Sequence, residues 1–204
     1  MKNYSTMEEA SKDLLRELGN VGTGNAVSAL ARLMNQPVDI EVPRLRIMKY
    51  QEFPAVLGGL EDLVTGILVE MTGEMKGIFL FLLKEDFTRT ILEVILGQTQ
   101  DTLTHLGEME QSLLCELGNI MCGSYVGALV QLLGMELEVS VPELCVDMGG
   151  AILNLPLTRF LEAGNEVLVI ENVFYISGRS FEGKLLFLPE WNGIQTVLEK
   201  FGEL

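Results

Sequence analysis

Apolar residues recur along the chain with two periods, which predict helices in some stretches and strands in others. Over residues 5–34 the apolar side chains fall within one broad stripe at about 100° per residue, which predicts a long helix. Residues 38–49 alternate between apolar and acidic positions as far as Pro43. This alternation predicts an extended segment, with the proline at a sheet edge or a bulge. Residues 52–60 are predicted to form a short helix or turn.

Two strands and a helix complete the first half of the chain. Residues 63–71 and 76–83 are predicted to be strands joined by a tight turn at Thr72-Gly73-Glu74. Residues 86–96 predict a helix that Gly97 stops. Because adjacent strands joined by tight turns pair antiparallel, we expect an antiparallel sheet against which the helices pack.

The second half of the chain repeats this order of elements. It begins with a predicted helix and an extended segment around a proline, and it ends with two strands and a helix that has a proline near its first turn. The predicted ranges are a helix at 107–133, an extended segment at 136–147, irregular or partly helical structure at 151–163, strands at 166–177 and 184–188, and a helix at 189–201.

A shared motif shows the same repetition at the level of individual residues. DLLRELGN at 13–20 and SLLCELGN at 112–119 are 99 residues apart, and each is followed after 22 residues by a proline, Pro43 or Pro142. Residues 13–45 and 112–144 are identical at 14 of 33 positions, whereas unrelated apolar-rich segments share about two or three. The chain is therefore interpreted as an internal duplication.

The duplication predicts a fold class and a domain organisation. We expect an α+β fold with approximate twofold symmetry, in which an antiparallel sheet is packed by the long helices that carry the motifs. A linker rich in proline, glycine or serine does not separate the halves. Residues 1–204 are therefore predicted to form a single domain made of two repeats, at about 5–100 and 104–204.

Charge and hydropathy exclude several classes of partner. The formal net charge of -15 disfavours nucleic acid and anionic membrane surfaces, because both require clustered basic residues. The longest apolar run, residues 78–83, has the length of a strand, so we expect no membrane insertion. The first nine residues lack the apolar core of a signal peptide, which predicts a cytoplasmic location.

The inventory of reactive residues excludes several kinds of chemistry. Cys115, Cys122 and Cys145 lack the C-x-x-C spacing and are expected to be reduced thiols. His105 is the one histidine, which disfavours a zinc site and a nucleophile activated by histidine. A phosphate-binding loop of the G-x-x-x-x-G-K-[ST] type does not occur in the sequence.

The motif places a glutamate and an asparagine on one side of each long helix. The first ridge is Asp13, Glu17, Asn20 and Gly24; the second ridge is Ser112, Glu116, Asn119 and Gly123. Either ridge alone is compatible with a solvated helix face, and Leu-Gly-Asn is compatible with a helix end. Because both copies keep the pair in one register, a functional role is favoured. A Glu–Asn pair on a rigid helix can position a water and bind a cation, which suffices for an acyl phosphate in a partner protein.

The duplicated pattern Asp/Ser-x-x-x-Glu-x-x-Asn-x22-Pro resembles the signature of the CheC-type chemotaxis phosphatases, the family of CheC, CheX and FliY. The resemblance covers essentially all 204 residues. It implies a hydrolase that removes the aspartyl phosphate of the response regulator CheY. It also implies that Asn20 or Asn119 orients the attacking water, while Glu17 or Glu116 pairs with a lysine of the regulator. The chain itself would bind no cofactor, since Mg²⁺ belongs to the active site of CheY.

The resemblance also implies supporting residues and a second partner. Asp13 and Ser112 would help to shape the helix surface, and Pro43 and Pro142 would be structural. Family members bind CheD, a receptor deamidase, and Asp147 matches an acidic position near that contact, although an Asp after a strand is often a cap. The chain is accordingly expected to be a monomer or a heterodimer with CheD.

Two other functions stay open from the sequence. The chain could be a mainly non-catalytic binding module that regulates CheD, and turnover of phospho-CheY without CheD distinguishes this from a phosphatase. A structural component of the flagellar motor switch is disfavoured, because the chain has no residues for an additional rotor-binding domain.

Overall fold

The computed structural model describes residues 9–54, 59–97, 102–154, 166–190, 196, 197, 199 and 200. Four α-helices, one 3-10 helix and eight strands are assigned within these ranges. In chain order they are α1 (Glu9–Met34), β1 (Val38–Ile40), β2 (Arg44–Lys49), the 3-10 helix (Tyr50–Glu52), β3 (Leu63–Gly73), β4 (Gly77–Lys84), α2 (Glu85–Leu96), α3 (Glu108–Leu133), β5 (Leu137–Val139), β6 (Glu143–Met148), α4 (Gly149–Ile152), β7 (Glu166–Ile176) and β8 (Arg179–Pro189).

The predicted long helices and most predicted strands are confirmed to within a few residues. Both motif helices end where the periodic pattern ends, and Gly97 stops α2 with a left-handed φ of 67°. The predicted short helix near residue 52 starts earlier, as the 3-10 helix, and residues 55–58 lie outside the described residues. Of the predicted partly helical stretch 151–163, the structure describes residues 151–154, at and just after the end of α4.

The end of the second repeat corrects two predicted boundaries. Pro189 does not open a helix: it is the last residue of β8, where it pairs with Gly77. The same strand begins at Arg179, five residues before its predicted start at Lys184. Pro189 is tolerated in the strand because it stands at the terminus, where one missing donor matters least. Residues 196, 197, 199 and 200 are helical, and the rest of the predicted final helix lies outside the described residues.

The sheet combines strands from both halves of the chain. Its antiparallel order is β1-β7-β8-β4-β3-β5, with β2 also on β7 and β6 also on β3. The strands that follow the first motif helix therefore pair with a strand of the second half, and those that follow the second motif helix pair with a strand of the first half. Because neither half has a complete sheet of its own, this exchange supports our proposal of one domain built from two repeats.

The two motif prolines occupy matching bulges in this sheet. Residues 41–43 stand opposite residues 172 and 173 of β7, so the edge strand has one extra residue there. The Glu41 amide donates to the Val173 carbonyl at 3.1 Å, and in the other half the Ser140 amide makes the corresponding bond to the Glu70 carbonyl at 2.9 Å. The predicted position of Pro43 at an edge or bulge is thus confirmed.

The sheet has an apolar core on each face. Helices α1, α2 and α3 cover one face and bury a large core that contains Leu14, Leu117 and Phe79. A smaller core, with Phe53 and Leu80, lies on the opposite face. The motif helices are thus fixed against the sheet along one side, which leaves their other side free for a partner.

One helix among the described residues, α3, is long and apolar enough to cross a membrane. It contains no long unbroken apolar run, because polar motif residues interrupt its apolar positions. Half of its most apolar window is buried within the fold, where α3 packs against α1 and the sheet. A buried core helix meets the same criterion, so this finding is weak evidence for a membrane span.

Candidate functional site

The two ridges lie on exposed faces of the motif helices, as the periodicity predicts. The leucines beside them, such as Leu14 and Leu117, are buried against the sheet. The exposed residues are Asp13, Glu17, Asn20 and Gly24 of α1 and Ser112, Glu116, Asn119 and Gly123 of α3. Each Glu–Asn pair is therefore held by a buried helix and is open to solvent, an arrangement that suits contact with a macromolecule.

The glycine inside each motif explains how the helix can lie so near the sheet. A Cβ atom on Gly118 would lie 2.4 Å from Ile67 Cγ2, and one on Gly19 would lie 3.0 Å from Leu45 Cδ1. Both glycines are buried and lie within helices that continue for several turns. The alternative that Leu-Gly-Asn ends the helix is therefore wrong. The glycine serves close packing and leaves the following asparagine on the exposed side.

The glycines of the ridges have a different environment. A Cβ atom on Gly24 or Gly123, or on Gly127 one turn further along α3, would meet no atom within 4 Å beyond its chain neighbours and its own helix backbone. A glycine inside an exposed helix costs roughly 0.5–1 kcal/mol relative to alanine. Internal packing therefore does not require glycine at these three positions.

The two motif helices meet at a buried polar contact. Thr23 Oγ1 of α1 and Tyr125 Oη of α3 are 2.6 Å apart, and Thr23 Oγ1 also donates to Asn172 Oδ1 of β7 at 3.4 Å. Burial raises the pKa of Tyr125 to about 12, although its hydrogen bonds to Thr23 and Asn172 act in the opposite direction. A Cβ atom on Gly22 would lie 2.4 Å from the Tyr125 ring. This contact fixes the two site-bearing helices relative to each other.

The motif prolines lie beside the helices and not on the ridges. Pro142 is buried, and its side chain would be 3.4 Å from a Cβ atom on Gly118. The Cys115 thiol donates to the Pro142 carbonyl at 3.9 Å. Pro43 is half-buried at the equivalent bulge. The structural role of the two prolines stays a prediction.

Asp13, the first residue of the first motif, has a local partner. Asp13 forms an ion pair with Arg16, and both side chains are mostly exposed. Exposed pairs of this kind contribute little to stability, with a median of about 0–1 kcal/mol. We therefore regard Asp13 as part of the helix surface, while its proposed supporting role stays a prediction.

The cysteines are free thiols in environments that disfavour their reactive form. Burial raises the pKa of Cys122 to about 12, and it also raises the pKa of Cys115 and of Cys145, where the charge of Asp147 adds to the effect. A raised pKa lowers the thiolate fraction, so nucleophilic chemistry at these residues is disfavoured. Within the described ranges, no group of three or more His, Cys, Asp or Glu side chains could hold a metal ion.

Asp147 is exposed at the sheet edge on which β6 lies. It lies within β6, not after it, and its carboxylate accepts a hydrogen bond at 2.7 Å from the amide of Met148. Met148 is the N-cap residue of α4 and makes no side-chain capping bond. Asp147 is therefore not the N-cap residue of α4, although its carboxylate accepts the amide of the residue that is.

The whole chain is similar in sequence to known chemotaxis proteins. The model of the CheC-like family matches residues 11–47 and 109–146, which are the two motif helices with the edge strands that follow them. The chain is 31% identical over 206 residues to the CheY-P phosphatase CheC of Bacillus subtilis strain 168, and the match covers 99% of each protein. The chain therefore belongs to the CheC-like family.

Other relatives match a smaller part of the chain or share the fold. The flagellar motor switch phosphatase FliY of Bacillus subtilis is 24% identical over 67% of this chain and 35% of its own length. The crystal structure of Thermotoga maritima FliY superimposes with a TM-score of 0.75 at 22% identity, covering 97% of this chain and 98% of FliY. The FliM middle domain of H. pylori matches with a TM-score of 0.69 at 13% identity, covering 95% and 99%. These structures confirm the α+β fold.

Two exposed apolar side chains at the motif bulges were not predicted from the sequence. Val42 and Val141 precede the motif prolines and are 83% and 84% exposed. Both are identical in the aligned repeats, so the repeat itself contained this signal. Their exposure could not be predicted, because strand alternation near a bulge does not say which side chains project into solvent.

Proposed function

We propose that this protein is a phosphatase that hydrolyses the aspartyl phosphate of a phosphorylated response regulator of the CheY type. The observation that supports it best is the presence of two exposed Glu-x-x-Asn pairs, one on each of two helices held tightly against the same sheet. Membership of the CheC-like family and the name of the Bacillus subtilis relative, CheY-P phosphatase CheC, point to the same reaction.

The proposed role of Asn20 and Asn119 is to orient water. The side-chain amide of either residue holds a water in line with the phosphorus atom. The water oxygen forms a bond to phosphorus as the bond to the regulator's aspartate oxygen breaks, and the aspartate leaves as a carboxylate. The released products are inorganic phosphate and a proton. Alignment and charge placement supply most of the acceleration in phosphoryl transfer, so no nucleophile from this chain is required.

The proposed role of Glu17 and Glu116 is docking. Each carboxylate pairs with a lysine of the regulator and places the asparagine of the same ridge over the phosphate. The Mg²⁺ that neutralises the phosphate is bound by the regulator, and this chain supplies no metal ligand in the proposal. We propose that the reaction takes place in the cytoplasm, where the regulator would be located.

The test is an assay of phosphate loss from purified phosphorylated regulator. The wild-type chain is expected to shorten the lifetime of the phosphorylated form. The quadruple variant, Glu17→Ala, Asn20→Ala, Glu116→Ala and Asn119→Ala, is expected to abolish this effect. Asn25→Ala is a matched control, because Asn25 is an exposed asparagine of α1 outside the ridge. Phosphate loss with the quadruple variant at the wild-type rate would contradict the proposal.

We propose as a second function that the chain binds the receptor deamidase CheD. The exposed Asp147 and the adjacent Met148, which is 52% exposed, form a mixed acidic and apolar patch beside the edge strand β6. Such a patch suits an interface with a rim charge next to an apolar contact. Titration of the chain with CheD, with Asp147→Asn as the variant, tests this. Undetectable turnover together with tight CheD binding would favour a binding module over a phosphatase.

A further inference from the structure

The contact between Tyr125 of α3 and Thr23 of α1 does not follow the internal duplication. At the equivalent positions of the other repeat, 99 residues away, Tyr125 is replaced by Ala26 and Thr23 by Cys122. Alanine has no side-chain donor or acceptor, so Ala26 and Cys122 cannot form the equivalent hydrogen bond. The two similar site-bearing helices are therefore joined by an asymmetric contact.

On α1 this contact is close to the first site. Thr23 is three residues beyond Asn20, the residue proposed to orient water there. Residues three apart on a helix are neighbours, with Cβ atoms about 5–6 Å apart. Tyr125 is six residues beyond Asn119 of the second site, which is nearly two turns of α3. The hydrogen bond therefore constrains the turn of α1 that follows Asn20, whereas on α3 it is attached well beyond Asn119.

The contact is buried and also includes strand β7. Thr23 and Tyr125 are 2% and 5% exposed, and their hydroxyl oxygens are 2.6 Å apart. Thr23 donates its single hydroxyl proton to Asn172 Oδ1 at 3.4 Å, so Tyr125 is the donor in the shorter bond. The Tyr125 ring lies over Gly22, where a Cβ atom would be 2.4 Å from it. Directional bonds of this kind fix a position more specifically than apolar contacts do.

Apolar packing holds the first motif less tightly than the second. An apolar cavity of about 30 Å³ separates part of the first motif from the sheet, and it is lined by Leu15, Leu18, Gly19 and Tyr125, among others. Side chains that face a void have fewer contacts to hold them. A Cβ atom on Gly118 would lie 2.4 Å from its nearest neighbour, against 3.0 Å for Gly19. The position of the first motif therefore depends more on a specific polar contact.

We propose that Tyr125 is a positioning residue for the first site, and that it acts through Thr23 to hold Asn20 where hydrolysis of the phosphate requires it. This inference rests on the proposed function. The tyrosine belongs to the helix that carries the second site, so the first site is complete only when both motif helices are in place. The alignment of an attacking water is sensitive to displacements of about 1 Å. Loss of the hydrogen bond therefore slows hydrolysis at the first site and not at the second.

The competing explanation is a role in stability alone, because buried hydrogen bonds stabilise a fold wherever they occur. Tyr50 provides a matched control, since its hydroxyl donates to the Leu153 carbonyl within the smaller core, on the opposite face of the sheet. Tyr50→Phe removes a buried phenol hydroxyl of the same kind away from the motif helices. A loss of stability acts on both sites alike, whereas a positioning role acts on the first site.

The experiment measures kcat and KM for phosphorylated regulator in chains that retain one site. In the Asn119→Ala chain, which keeps the first site, we expect Tyr125→Phe to lower kcat about tenfold and to leave KM within about twofold. The reason is that water alignment contributes in the transition state and not in docking. In the Asn20→Ala chain, which keeps the second site, the same change should leave kcat within about twofold. Tyr50→Phe should leave kcat within about twofold in both chains.

Substitutions at Thr23 test the same hydrogen bond from the other helix. Thr23→Val keeps the branched shape and removes the hydroxyl, so it should lower kcat of the first site as Tyr125→Phe does. Thr23→Ser keeps the hydroxyl and should retain kcat. Because both changes act on one hydrogen bond, Thr23→Val combined with Tyr125→Phe should lower kcat no further than either change alone. Urea unfolding verifies that all variants are folded.

The outcomes distinguish this inference from the proposed function. An unchanged kcat of the first site with Tyr125→Phe, in a chain that hydrolyses the phosphate, would overturn the inference and leave the proposed function standing. An equal loss of kcat in the two single-site chains, the same loss with Tyr50→Phe, or an Asn119→Ala chain without turnover would also overturn it. A wild-type chain that does not hydrolyse the phosphate would overturn the proposed function and this inference together.

Discussion

Gly118 of the second motif helix lies directly on Ile67 of strand β3, so that a Cβ atom on Gly118 would be 2.4 Å from Ile67 Cγ2. The Ile67 side chain is fully buried. The equivalent glycine, Gly19, faces the terminal methyl of the half-buried Leu45 at 3.0 Å. The motif glycine is therefore closely packed in both repeats, but an added methyl group would be tolerated better at Gly19 than at Gly118.

Alanine at the motif glycines should accordingly have unequal effects on stability. We expect Gly118→Ala to lower the free energy of unfolding by about 1–3 kcal/mol, the usual range for overpacking a core. Gly19→Ala should cost less, because a methyl at the end of a flexible side chain can shift. Urea unfolding of both variants measures the difference. Equal destabilisation would contradict this reading of the packing.

Alanine at the ridge glycines should have the opposite effect on stability. Gly24→Ala and Gly123→Ala place a methyl group in open space, so each should stabilise the fold by roughly 0.5–1 kcal/mol. If a partner approaches the ridges closely, the same methyl groups should raise the KM for phosphorylated regulator. Thermal unfolding and the phosphatase assay on the same samples test both parts. Increased stability with unchanged KM would show that the ridge glycines do not serve docking.

The two sites should respond differently to salt because opposite charges follow the motif prolines. Exposed Arg44 begins β2, the strand that follows the first motif proline, and exposed Glu143 begins β6, the strand that follows the second. If each site receives a lysine of the regulator, Arg44 weakens docking and Glu143 assists it. Exposed charges of this kind change the binding free energy by about 0.2–1 kcal/mol and are screened by salt.

Variants that retain a single site allow the salt dependence of each site to be measured separately. The Asn20→Ala chain, which keeps the second site, should have the lower KM at low salt, and the Asn119→Ala chain should have the higher. Adding Arg44→Glu to Asn119→Ala should lower its KM at low salt and have little effect at high salt. If the KM of the Asn119→Ala chain changes neither with salt nor with Arg44→Glu, the charge of Arg44 has no influence on docking.

The buried phenol of Tyr125 predicts part of the loss of stability at alkaline pH. Tyrosine in an unfolded chain titrates near pH 10, whereas burial raises the pKa of Tyr125 to about 12. The unfolded chain therefore releases this proton first. The stability that depends on the neutral phenol is fully present below about pH 10 and is lost as the pH rises towards about 12.

Tyr125→Phe tests this dependence directly. The variant lacks the phenol, so its free energy of unfolding should fall less steeply than that of the wild-type chain between about pH 10 and 12. At neutral pH it should be less stable by about 1 kcal/mol, because the hydrogen bond to Thr23 is lost. Denaturant unfolding across this pH range provides both values, and parallel curves would rule out a contribution from Tyr125.

The local sequence pattern was sufficient to predict most helices and strands and the exposure of the Glu–Asn pairs. Helical periodicity correctly put Glu17 and Asn20 on the side away from the buried leucines, since side-chain direction in a helix follows from sequence position alone. A predicted boundary was wrong where one residue type is compatible with two kinds of structure. Pro189 fits both a strand end and a first helical turn.

The sequence by itself determined two copies of one unit, each with a long helix, a Glu–Asn ridge and a proline-interrupted edge strand. Only the tertiary structure decided that β1 and β2 pair with β7 of the other half, and that Val42 and Val141 are exposed. It also decided that Tyr125 joins the two motif helices through Thr23. Local periodicity fixes the direction of a side chain relative to its own element. The pairing of distant strands and the close packing of helices depend instead on contacts between residues far apart in the chain, which no local pattern encodes.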